Sequence, residues 1–212
     1  QLGELDERQR TALETVFTSA RKLSRLIDDI LDLSRLEAGQ MDFELKPVRM
    51  DELLSELNDL VSVLADQSKI SLELDIENGL PPVSGDREQL LRVIMNLVSN
   101  ALKFTPENGR IRVGLRRDSA ATLRVSVMDT GMGIPKDKLE KIFDKFFQVS
   151  ETKDSSRRKG SGLGLSICRK IIQAHNGRIW AESDLGHGST FHFTLPLSPE
   201  PEGRKTADLS TA

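Results

Sequence analysis

The 212-residue chain has few of the features that would suggest several common classes of protein. No apolar run approaches the roughly 20 residues that a membrane-spanning helix needs, so no part of the chain is expected to enter a bilayer. A single cysteine, Cys168, excludes an intramolecular disulfide framework and any multi-cysteine metal site. It falls within an apolar helical run, as a buried structural thiol does, and a reducing, cytoplasmic setting fits. Neither sign of charge dominates: 33 acidic residues against 30 basic ones leave a formal charge of −3. No net field would draw in a nucleic-acid backbone or an anionic membrane, so neither is an expected partner. The chain opens on Gln1 with no signal-like segment, and the expectation is a piece of a longer protein.

What is present divides into two parts. From Asp6 to Ala38 there is no Gly or Pro, and Leu13, Val16, Ala20, Leu23, Ile27, Ile30 and Ser34 recur at alternating spacings of three and four. That is the seam of a helix packed in a bundle, and Leu26, Leu31 and Leu33 widen it beyond a two-stranded coil. Gly39 ends the helix, and 40–47 reads as a linker or short extended segment. Beyond it, helices and strands alternate. A helix is expected from Asp51 to Asp66, with Leu53, Leu54, Leu57, Leu60, Val61 and Leu64 on its apolar side. A strand follows through Ile70, Leu72, Leu74 and Ile76, then a loop punctuated by Asn78, Gly79, Pro81 and Pro82.

Asp86 with Gln89 resembles a capping box opening a helix to Phe104. Ile111–Leu115 and Leu123–Val127 read as a hairpin, Pro135 as the start of a short helix to Phe143, and 144–160 as a mobile loop. Gly162 to His175 is a predicted helix closing at Asn176-Gly177; 178–182 and 190–195 are predicted strands, and the tail after Pro196 has the composition of a disordered segment.

Three local patterns can carry chemistry. Asn96, Asn100 and Lys103 share one helical face, where amide oxygens suit a hard cation and an ammonium suits phosphates; a plain solvated face is the competing reading. Asp129-Thr130-Gly131-Met132-Gly133-Ile134 follows a strand, so a fixed carboxylate could accept from the exocyclic amine of adenine against an Ile134 wall; a tight turn alone would need the same glycines. Gly160-Ser161-Gly162-Leu163-Gly164-Leu165 opens a helix whose free amides can hold an anion, or serves merely as a hinge.

Taken in order, Asn96 to Phe104, Asp129 to Gly133, Phe143 with Phe146 and Phe147, and Gly160 to Gly164 resemble the four boxes of histidine-kinase ATP-binding domains. Gly186-x-Gly188-Ser189-Thr190-Phe191 resembles the family's closing strand, and the likeness covers about 45–197. The resemblance implies an α+β fold of the Bergerat type, a two-layer α/β sandwich with a mixed sheet of about five strands and three helices, preceded by a long bundle-forming helix. It implies Asn100 as the Mg2+ ligand, Asn96 and Lys103 on the phosphates of ATP, and Asp129 on adenine with Gly131 and Gly133 shaping the turn. Phe104, Ile134, Leu163, Leu165, Ser189 and Thr190 complete the expected nucleotide contacts, with Gly160, Gly162 and Gly164 at the phosphates.

A lid would run from 144 to 161, carrying Lys153, Arg157, Arg158 and Lys159. Asn96, Lys103, Arg157 and Arg158 are the candidate catalytic residues, a lid cation offsetting charge on the transferring phosphoryl group.

The first helix, through Leu31-Asp32-Leu33-Ser34-Arg35-Leu36-Glu37-Ala38-Gly39, resembles the second helix of the family's dimerisation hairpin. The implied organisation is 1–39 for that helix, 40–47 for the linker, 48–197 for the ATP-binding domain and 198–212 for the tail. Implied partners are ATP, a response-regulator receiver domain and, through the hairpin, a second copy. His175, His187 and His192 all follow the nucleotide helix and read as structural. The acceptor histidine would then lie outside this chain, which is expected to bind ATP without phosphorylating itself. Two alternatives stand beside this reading: a non-catalytic nucleotide sensor, and another Bergerat-fold ATPase or serine kinase.

Overall fold

The computed structural model describes residues 6–149 and 161–199. Asp6 opens helix α1 (Glu7–Glu37) with a capping box: its carboxylate accepts from Gln9 N at 2.8 Å and Gln9 Oε1 accepts from Asp6 N at 3.0 Å. With no Gly or Pro to interrupt it, the helix runs 31 residues and stops before Gly39, whose φ is +64°. Strand β1 (Lys46–Val48) begins inside the expected linker and pairs antiparallel with β3 (Val83–Gly85), a strand the loop reading of that region missed. Three residues following two prolines are too short to show a period of two.

Helix α2 (Met50–Gln67) buries Leu53, Leu54, Leu57 and Val61 as expected, but Leu60 and Leu64 are about half exposed. The apolar stripe is wider than the sheet beneath it. β2 (Ser71–Ile76), β4 (Arg110–Arg117), β5 (Thr122–Asp129), β6 (Ile179–Ser183) and β7 (Ser189–Pro196) form one sheet in the order β2-β4-β5-β7-β6. β2 and β4 are parallel and the other pairs antiparallel, so the sheet is mixed. Ile111, Val113 and Leu115, Leu123, Val125 and Val127, and Phe191, Phe193 and Leu195 alternate along three strands and are all buried. They meet α2, α3 (Arg87–Phe104) and α4 (Gly164–Ala174) in a single core. This is the two-layer α+β architecture that the resemblance implied.

Three local expectations need correction. The segment after Pro135 forms two separate 3-10 turns, Lys136–Lys138 and Lys141–Phe143, instead of one helix, because a span this short cannot recover the cost of helix nucleation. α4 begins at Gly164, not Gly162, whose φ of +74° lies outside the helical region. Asp86 caps α3 through Glu88 N and Gln89 N, but its own N–H donates to His175 Nε2 at 2.9 Å in place of the Gln89 side chain. A buried imidazole 89 residues away thus takes the second half of the box. The His175 ring faces Ile171 O through Nδ1 at 2.8 Å and packs edge-on against Phe43. No helix among the described residues is long and apolar enough to cross a membrane.

Candidate functional site

One end of the sheet and the facing ends of α3 and α4 gather most of the singled-out residues. β5 delivers Asp129 at its last position, where the residue is 6% exposed and Oδ1 accepts from Gly131 N at 2.8 Å. Burial pushes this carboxyl above the usual carboxylate range, and hydrogen bonds from the Gly131 and Ser189 backbone oppose that rise. The floor is built by close approach. A Cβ on Gly131 would lie 2.7 Å from Phe104 O, so the turn after β5 sits directly against the end of α3. Gly188, at φ +88°, passes Asp129 O so closely that a Cβ there would lie 2.0 Å from it. Gly133 has φ +72°, and the following Ile134 N donates to Ser183 Oγ at 2.8 Å. Ser183 in turn donates to Gly188 O at 2.6 Å, so this serine ties the turn to the β6–β7 connection. Nothing in the spacing of Ser183 pointed to that role.

α3 supplies the second wall. Asn96 and Asn100 stand one turn apart and partly exposed, Asn100 Nδ2 donating to Asn96 Oδ1 at 3.3 Å. Lys103, further along, holds its ammonium 4.9 Å from the centre of the Phe104 ring. α4 meets this wall at its first residue: a Cβ on Gly164 would lie 2.3 Å from Asn96 Nδ2, so a side chain there would force the Asn96 amide to move. Among the described residues, Leu163 at the N-cap position gives no side-chain cap to the α4 amides, although Leu163 N donates to Ser161 Oγ at 3.2 Å. The positive end of α4 therefore points at the asparagine pair. Leu163 itself is fully buried and Leu165 partly so.

The glycine box is anchored to the aromatic box: Phe146 N donates to Gly162 O at 2.9 Å, and Phe143 packs edge-on against Phe191. Phe146 itself is 62% exposed. Ser189 lies across the ladder from Asp129 and is buried beside it, whereas Thr190 is on the opposite face of the sheet, across from Met128 and Glu182. Thr190 is therefore separated from the rest by strand alternation. Arg157, Arg158, Lys153, Lys159 and Gly160 lie outside the described residues. Among the described residues, no group of three or more His, Cys, Asp or Glu side chains converges as a metal site.

Sequence reasoning also passed over Arg92, which precedes Asn96 by the same four-residue step that separates Asn96 from Asn100. Extending the polar face one turn backwards would have found it. Its guanidinium is held by Asp32 at 2.5 Å and Asp29 at 3.2 Å, both from α1.

Comparison with known proteins agrees with this geometry. The family model of the histidine kinase-, DNA gyrase B- and HSP90-like ATPases matches residues 85–199, and that of the His kinase A phospho-acceptor domain matches residues 1–39. The adaptive-response sensory kinase SasA of Gloeothece citriformis is 39% identical over 188 residues, which are 87% of this chain and 47% of that protein. The chain thus spans about half the length of the curated relatives it matches. Among solved structures, the catalytic domain of histidine kinase ThkA superposes with a TM-score of 0.64 at 37% identity, over 75% of this chain and all of the other. ThkA in complex with the response regulator TrrA gives 0.72 at 30% identity, over 93% and 54% of the two chains. Full-length ShkA in complex with AMPPNP gives 0.79 at 30% identity, over 92% and 40%. By fold, ordered boxes and these likenesses, the chain belongs to the sensor histidine kinases and carries their ATP-binding catalytic domain.

Proposed function

We propose that the chain holds Mg2+-ATP for a kinase that moves the terminal phosphoryl group to a histidine outside this chain, and then to a response-regulator aspartate. The observation that carries this reading is the meeting of Asn96 on α3 with Gly164 at the uncapped start of α4, beside the buried Asp129. One carboxylate for the base, two amides and a helix N-terminus for the phosphates match the polarity of ATP end to end. Asp129 keeps acceptor capacity beyond its bond to Gly131, enough for the exocyclic amine of adenine. Asn100 spends its amide N–H on Asn96, which leaves its oxygen for a hard cation.

That single ligand fits Mg2+, which keeps waters and phosphate oxygens in its shell; when bound, the ion would neutralise charge on the phosphates. Asn96 and Lys103 orient the phosphate chain, and Arg157 and Arg158 are assigned to the charge that develops during transfer. Ser189 backs Asp129, while Thr190 drops out of the contact set.

The AMPPNP complex of ShkA supports the nucleotide, and the ThkA complex with TrrA supports a receiver domain as partner. The half-exposed seam of α1, through Leu13, Val16, Leu23, Ile27 and Ile30, supports association with a second copy. We assign 1–39 to that association and 48–197 to nucleotide binding.

Calorimetric titration with Mg2+-ATP tests the site. Asn100→Ala and Asp129→Asn are each expected to weaken binding at least about tenfold, the loss of one charge-assisted hydrogen bond or metal ligand. Unchanged affinity in both variants would refute the assignment. In the full-length parent, acid-labile and base-stable phosphate marks the histidine reaction, and its absence would favour a nucleotide sensor.

A further inference from the structure

α1 presents two faces, and only one of them is the exposed seam. Leu26, Asp29, Leu33 and Leu36, at spacings of three and four, form the other, which packs on the nucleotide-binding part: Leu33 is 6% exposed, and Leu26 and Leu36 lie against the core. Asp29 and Asp32 meet Arg92 there, and all three side chains are between a quarter and a third exposed. A further pair, Lys145 with Glu37 at 2.5 Å, fixes the last turn of α1.

The position of these acids is informative. Arg92, Asn96 and Asn100 share one face of α3, so Arg92 continues the row assigned to phosphates. Asp29 Oδ1 takes the Arg92 guanidinium, and Asp29 Oδ2 lies 3.5 Å from the Ser161 hydroxyl, the outer limit of such a contact. Ser161 Oγ accepts from Leu163 N, just ahead of the α4 start that meets Asn96. A guanidinium and a hydroxyl beside a helix N-terminus are donors that a phosphate oxygen also takes. Two carboxylates against one guanidinium leave this corner with an excess negative charge, which opposes an incoming anion while its natural cation is engaged.

We infer that α1 and the terminal phosphate of the nucleotide compete for Arg92, so that Asp29 and Asp32 form a charge latch favouring ADP over ATP while α1 is docked. By reciprocity, ATP loosens this contact of α1 as much as the contact weakens ATP. ADP lacks the group that competes and leaves the latch closed. The inference rests on the reading of the α3 polar face as phosphate-binding.

Titration of Mg2+-ATP and Mg2+-ADP into the whole chain tests it, with thermal melting confirming that each variant is folded. Asp29→Asn/Asp32→Asn is expected to raise the ATP-to-ADP affinity ratio about fivefold or more, the lower end of ordinary coupling. Adding Arg92→Gln to that pair should remove the gain. A ratio within about twofold of the unmodified chain would overturn the latch, and a gain that survives without Arg92 would overturn the role given to Arg92. If the double variant does not fold, Asp29→Asn alone carries the same expectation and the same refutation. Asn100→Ala separates the two readings. If it and Asp129→Asn both leave ATP binding intact, both readings fall; if it abolishes binding while the ratio stays fixed in the Asp29/Asp32 variant, only the latch falls.

Discussion

Helices α1 and α3 both carry a regular apolar stripe, yet α3 buries Leu90, Val93, Ile94, Leu97, Val98 and Ala101 while α1 leaves Leu13, Val16, Leu23, Ile27 and Ile30 about half exposed. The difference lies in what faces the stripe. α3 lies across β4 and β5 and closes the core against their alternating side chains. The described side chains of α1 before Leu26 are exposed, and the helix meets the core only from Leu26 onwards, most fully at Leu33. Apolar periodicity therefore announces that a partner exists without saying whether it is the chain's own sheet or another helix. The polar faces differ in the same way: on α3 the two amides bond to each other at the proposed site, whereas on α1 the acids grip α3 through Arg92.

The contrast should break first in the core of α3. Leu97→Ala is expected to lower the unfolding free energy by about 2–5 kcal/mol, read from urea denaturation. A loss below about 1 kcal/mol would put α3 among surface helices. Next comes the glycine that lets β7 pass the site. Gly188→Ala places a Cβ at φ +88° against Asp129 O, so a loss of at least about 2 kcal/mol is expected, together with weakened nucleotide binding. An unchanged melting curve would show that the passage tolerates a side chain.

A smaller effect, of opposite sign, is expected at Asp129. Burial raises its folded pKa above the unfolded value of 3.8, so its contribution favours the fold in acid and is lost as pH rises through the raised value. At neutral pH the buried carboxylate costs stability, and Asp129→Asn should raise Tm by about 2 °C while it weakens ATP. That advantage should shrink as the pH is lowered towards 4; an advantage that does not change with pH would mean that desolvation is not the cause. The smallest effect belongs to α1. In dilute protein Ile27→Ala should change unfolding by no more than about 0.5 kcal/mol, since Ile27 is 49% exposed. A larger loss at low concentration would mean that the seam already has an intramolecular partner.

Much of the sheet could be read beforehand because β5 and β7 place a buried residue at every second position along eight, and β4 buries Ile111, Val113 and Leu115 in the same way. Asn96, Asn100 and Asp129 were equally visible, as polar residues fixed at a helical step or a strand end. β3 escaped because three residues carry no period, and the two 3-10 turns because their sequence differs little from a short helix. Leu60 and Leu64 looked like core because a stripe on a helix does not reveal the width of what covers it. Thr190 was grouped with Ser189 by adjacency, although neighbours on a strand face opposite ways.

By itself the sequence determined where the capped helices α1 and α3 begin, which faces are apolar and which polar side chains share a turn, because these follow from local spacing and backbone geometry. Only the tertiary structure decided that Asp86 N–H would find His175, that Gly164 would press on Asn96, and that Arg92 would be held by Asp29 and Asp32. Such pairings join residues 60 or more positions apart. They depend on how whole elements pack, and no local pattern encodes that.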